Sequence, residues 1–227
     1  LCTSNRTIKR RRRRTLINMI SVKENRAKRQ LLWIGIGAIG MFFAGLTSAF
    51  IVRRAEGNWL NFALPDWFLY STITIVISSF FLFAANRLIK QNKQSSIFVV
   101  LTFLLSIVFV YFQVKGWQDL TSQGVYLTGE GSNVAGSFLY VLTLSHLVHL
   151  VGGIVALIFA IYFSIKDLYK KDNMLGFKLI STYWHFLGAL WIYLYFFLKY
   201  NQEGSISVVF NNILSQKNYF CNIIFTV

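Results

Sequence analysis

Five stretches of the chain are apolar almost without interruption: 31–52, 67–89, 96–114, 136–163 and 177–198, each 19 to 28 residues long. The hydrocarbon core of a bilayer is about 30 Å thick, so a helix rising about 1.5 Å per residue crosses it in roughly 20 residues. Each run is therefore long enough to span. Backbone amides inside lipid must be paired within the protein, which leaves helices or a closed barrel. Barrel strands alternate in apolarity over about ten residues, and runs such as SIFVVLTFLLSIVFVYFQV (96–114) do not alternate. The pattern predicts an all-α, polytopic membrane helix bundle of about five transmembrane helices. A basic flank (1–30) precedes this domain (31–198), and a tail (199–227) follows it.

Composition sharpens the picture. The 227 residues are 55% hydrophobic and only 14% charged, with a mean hydropathy of +0.52, whereas a soluble domain carries about 25% charged residues as a polar skin. The formal net charge of +15 invites a nucleic-acid reading, but its placement argues otherwise. Eleven of the 23 Lys and Arg precede residue 31, and the segments on that side of the membrane hold 18 against 5 on the other. This asymmetry orients the bundle with a cytoplasmic N-terminus and can attract anionic lipid. No nucleic-acid partner is expected. Arg53, Arg54 and Arg87, at span ends, are candidate lipid-headgroup contacts.

Cys2 and Cys221 both lie in the flanks, so neither a disulfide framework nor a CxxC metal site is available. The first apolar run is span-length and lacks a small-residue cleavage site, so no cleavable signal peptide is expected. Residues 1–18 precede the first methionine, Met19, and 205–227 form a low-charge segment rich in Asn and Phe. Two readings stay open for both: arms that contact lipid or partners, or sequence outside the native reading frame.

The spans hold little chemistry. All eight acids (Glu24, Glu56, Asp66, Asp119, Glu130, Asp167, Asp172 and Glu203) fall in loops or flanks. An autonomous proton pump or ion-coupled transporter needs an ionisable relay at depth. Histidine is the one candidate: His146 and His149 share a face of the fourth span, and His185 lies in the fifth. Such imidazoles could ligate a haem between the two helices, or hydrogen-bond across helices as packing groups. Small residues give a packing pattern, with Gly40, Ala44 and Ser48 on the first span and Gly152, Ala156 and Ala160 on the fourth. Ridges of this kind let helix backbones approach closely. Trp184 and Trp191, seven apart, predict one face of the fifth span, as do His185 and Gly188. The Gly-rich segment 115–135 reads as an external excursion without regular structure.

Four stretches, in order, resemble subunit III of the haem–copper respiratory oxidases, cytochrome c oxidase above all. They are GMFFAGLTSAF (40–50), the segment 64–79, GSFLYVLTLSHLVHLVGG (136–153) preceded by Gly-Val-Tyr (124–126), and YWHFLGALWIYLYF (183–196). The five-helix count resembles the short bacterial form. The resemblance implies a subunit without a redox centre, packed against subunit I and other oxidase subunits, with haem and copper held by those partners. It also implies bound phospholipid, support of sustained turnover and proton uptake, and a bacterial inner-membrane location. His146, His149, Gly153, Trp184 and His185 would be motif positions with a helix-packing role. Many family members carry a glutamate where this chain has Ile39 and an aspartate near Leu187–Gly188, so roles needing those carboxylates are not implied here. Neighbouring readings are an accessory subunit of a quinol oxidase or nitric oxide reductase, and, from another class, a small haem b membrane protein.

Overall fold

The computed structural model describes residues 2–56, 62, 64–91, 96–129, 133–166 and 174–202, with side chains from residue 22 onward except those of Lys90 and Gln202. Five helices account for nearly all of them: α1 (Cys2–Ala55), α2 (Trp67–Lys90), α3 (Ser96–Ser122), α4 (Val134–Ile165) and α5 (Leu175–Gln202). Four contain segments long and apolar enough to cross a membrane: Val22–Ala55, Trp67–Ile89, Ser96–Ser122 and Val134–Ile165. The fifth helix has 28 residues, enough length to cross, but its Ser181-Thr182-Tyr183-Trp184-His185 stretch and later tyrosines dilute its apolar average. Its Trp184, Leu187, Trp191, Leu194 and Leu198 are nonetheless buried against the other helices.

Helices α2 to α5 form an up-down ring in which α2 packs on α3, α3 on α4, α4 on α5 and α5 back on α2. Cross-helix bonds give the antiparallel register. Gln113 on α3 reaches Ser71 on α2, while Thr102 reaches the backbone of Ser78. Trp117 on α3 donates to Thr143 on α4. Helix α1 stands outside this ring, along α4 and α5. It holds on through Phe43, Thr47 and Phe50, which are spaced four and three apart and so share one stripe. Phe50 meets Phe138 of α4 and Phe197 of α5, and Tyr193 of α5 donates to Thr47.

The third helix corrects the reading of 115–135 as irregular. Its buried stripe of Val99, Thr102, Ser106, Phe109, Gln113, Gly116 and Leu120 keeps a three-four spacing beyond residue 114, so the helix runs on to Ser122. Gly116 lets the Phe68 ring approach: a Cβ there would lie 3.0 Å from it. The helix then closes in a Schellman cap. Gly124 has φ +79°, its N–H donates to Thr121, and the Val125 N–H donates to Leu120. Val125 folds back onto Gly136 at the start of α4, where a Cβ would lie 2.5 Å from its methyl group. The Tyr140 hydroxyl lies 3.1 Å from the Val125 carbonyl and 3.3 Å from that of Trp117, pinning this end.

Candidate functional site

Aromatic side chains from three helices close around one imidazole. His146 on α4 is fully buried, with ring centroids 5.0 Å from Trp191 (α5), 6.1 Å from Phe109 (α3) and 6.4 Å from Phe43 (α1). Neither ring nitrogen has a hydrogen-bond partner among the described residues. One turn on, His149 sits half-buried beside Phe42 and Phe43. Its Nδ1 lies 2.7 Å from the Ser145 carbonyl; a carbonyl only accepts, so Nδ1 carries the proton. The Tyr183 hydroxyl donates to the His149 carbonyl from α5.

The two indoles of α5 lie on one face, as their seven-residue spacing predicts. Trp184 Nε1 donates to Ser78 Oγ (3.2 Å) and Trp191 Nε1 to Thr72 Oγ1 (3.1 Å), which tie α5 to α2 at two levels. Gly153 of α4 lies beneath them, where a Cβ would meet Leu187 at 3.0 Å and the Trp184 ring at 3.3 Å. His185 turns elsewhere. It lines an open groove of about 230 Å³ between α2 and α5, with Ile75, Val76, Ser79, Gly188, Ala189 and Ile192. The structure thus places His185 and His146 among different neighbours, and a haem ligated by His185 and His146 has no supporting geometry. Among the described residues no three His, Cys, Asp or Glu side chains cluster in a way that could hold a metal ion.

The two small-residue ridges differ. On α4, Ala160 is buried and Ala156 half-buried, while Gly152 stands open to Tyr183, whose hydroxyl would be 3.7 Å from a Cβ. The close helix approach runs through Gly153 instead. On α1, Ala44 and Ser48 are exposed, and a Cβ at Gly40 would meet nothing within 4 Å. That ridge meets no other described helix of this chain, because α1 turns its Phe43–Thr47–Phe50 stripe inward.

The span-end arginines act locally. Arg53 pairs with Glu56, Arg54 donates to Asn201 of α5 (2.7 Å), and the Arg87 guanidinium lies 5.0 Å from the centre of the Phe83 ring. Of the described acids, Glu24, Glu56 and Asp66 are exposed, and Asp119 lies in the last turn of α3. At the positions matching the family carboxylates, Ile39 packs on the core and Gly188 approaches Ser79, whose hydroxyl would be 3.2 Å from a Cβ.

Sequence reasoning misses Gln113. It is 1% exposed, and its only signal is a single amide inside a run that averages as apolar.

Residues 61–203, which take in α2 to α5, match the family described as cytochrome c oxidase subunit III. The chain is 32% identical over 170 residues to a probable cytochrome c oxidase subunit 3 of Mycobacterium tuberculosis, covering 68% of this chain and 78% of that protein. It is 29% identical to the corresponding Nocardia farcinica protein, over 78% of this chain and 86% of the relative. A probable quinol oxidase subunit 3 of Staphylococcus saprophyticus is 27% identical, over 72% and 83%. With ordered motifs, a helical bundle and a match across four of its five helices, this chain belongs to the cytochrome c oxidase subunit III family of the haem–copper oxidases.

Proposed function

We propose that the chain is a non-catalytic subunit III that packs against the haem- and copper-bearing subunit I in a bacterial inner membrane, with its N-terminus cytoplasmic. In this reading it binds phospholipid and supports oxygen reduction coupled to proton translocation, while holding no redox centre itself. The supporting observation is how its interior is used. The imidazole that could best serve as a buried ligand is walled by the rings of Phe43, Phe109 and Trp191, and the other conspicuous interior groups tie helices together. The outward faces suit lipid and a neighbour: Leu31, Ile34, Met41, Phe80, Ile97 and Val148 are all more than 60% exposed. Arg53, Arg54 and Arg87 lie near helix ends, from which long side chains can reach lipid headgroups.

Membranes from cells lacking this chain test the reading. The expected result is an oxidase whose initial oxygen consumption persists but which inactivates faster during sustained turnover. Complete loss of the initial rate with the other subunits present, or unchanged durability, would contradict it. The name of the Staphylococcus relative favours one alternative donor. Oxidation of reduced cytochrome c against oxidation of a quinol by the purified complex distinguishes the two.

A further inference from the structure

Two buried polar groups lie at one level of the bundle, and among the described residues not all of their polar atoms have partners. On α3, Gln113 Nε2 donates to Ser71 Oγ (2.9 Å), and Gln113 Oε1 has no partner among the described residues. Its orientation is fixed. Ser71 directs its one proton to the Phe68 carbonyl (2.8 Å), so its oxygen must accept and the amide nitrogen must face it. On α4, His146 is fully buried and both of its ring nitrogens lack partners among the described residues. An uncharged imidazole offers one donor and one acceptor, and burying either unmet costs free energy.

The register brings these atoms to a common layer. The Trp117–Thr143 bond and the Phe109–His146 ring contact fix α3 against α4. Gln113 lies one turn from both Phe109 and Trp117 on the same side of α3, so it stands at the level of Thr143 to His146. From α2, Ser71 holds Gln113, and the adjacent Thr72 holds Trp191, whose ring touches His146. All four ring helices contribute, with hydroxyl, amide, indole and imidazole groups. Among the described residues, no carboxylate, ammonium or guanidinium belongs to the layer.

We propose that this layer is a hydration site, in which an ordered water molecule donates to Gln113 Oε1 and bonds a ring nitrogen of His146. A small uncharged molecule that both donates and accepts answers these atoms. An apolar molecule cannot, and an ion would find no countercharge among them. Buried waters commonly make about three hydrogen bonds to polar groups that protein alone leaves unmet. Such a bridge would join α3 to α4 where lipid offers no hydrogen bond. The inference stands apart from the oxidase reading, since it concerns packing within this chain.

A map of the full chain with its accompanying subunits, at a resolution that shows ordered water, tests it. The expected result is a peak about 2.7–3.2 Å from both Gln113 Oε1 and a His146 nitrogen. A direct Gln113–His146 bond, or no peak at that position, would overturn the proposal. In the same preparation, Gln113→Met and His146→Phe should each lower the thermal midpoint. The double variant should lower it by less than the sum, because removing both ends leaves neither unmet. Strict additivity of the two shifts would count against a shared water. The map needs no variant, so the test survives if one fails to fold.

Discussion

Glycine is not equivalent from place to place in this bundle, and substitution separates the cases. At Gly153 an added methyl would press on Leu187 and Trp184, so Gly153→Ala should destabilise the chain by about 1–3 kcal/mol through overpacking. At Gly40 the same methyl would meet nothing, so Gly40→Ala should not lower the thermal midpoint of the isolated chain. Thermal unfolding of the two variants in one detergent compares them directly. Trp191→Phe keeps an aromatic ring but removes the donor to Thr72 and trims a fully buried side chain, with an expected loss of about 1–3 kcal/mol. Legibility at this scale follows from spacing. The seven-residue interval is enough by itself to put Trp184 and Trp191 on one face. Gln113 is invisible in the sequence, because one amide barely moves the average of an apolar run. The ridge of Gly40, Ala44 and Ser48 signals that close approach is sterically open, but small size carries no address, and no described helix of this chain takes it up.

At the scale of elements, the apolar runs locate all five helices, and their limits fail where amphiphilic residues continue a buried stripe. Helix α3 outlasts its apolar run because Gly116 and Leu120 stay on the line set by Val99 and Phe109. Its Gly-rich sequel has the composition of a loop, yet Gly124 is the cap that the longer helix requires. Gly124→Ala forces a left-handed residue to carry a Cβ, which costs about 1–2 kcal/mol. That variant should raise amide hydrogen exchange at position 124 and at Val125, whose N–H groups make the cap bonds, while leaving the middle of α4 protected. Helix α5 shows the opposite mismatch. Its Tyr, Trp and His residues keep its membrane-length stretch less apolar than the spans of the other four helices, and several of the same residues supply its bonds to α1, α2 and α4.

For the molecule as a whole, hydropathy reveals how many helices there are but not which of them touch. The ring of α2 to α5 depends on side-chain pairs far apart in sequence, such as Ser78 with Trp184. The attachment of α1 depends on a single stripe, with an Arg54–Asn201 bond at its end. Phe43→Ala combined with Phe50→Ala should therefore loosen α1 selectively. Limited proteolysis should then cut near the α1–α2 connection sooner while α2 to α5 stay together. The same architecture bears on function. His185 lies among different neighbours from His146 and His149, the described carboxylates are exposed or lie in the last turn of a helix, and broad apolar faces point outward, all of which suits the proposed role beside a redox partner. Purification of the intact assembly from native membranes in mild detergent, followed by an absorption spectrum of each separated subunit, tests that claim most directly. The expected result is that this chain co-purifies with a haem-bearing subunit and carries no haem absorbance once separated; haem retained on the isolated chain, or no haem-bearing partner at all, would overturn the claim.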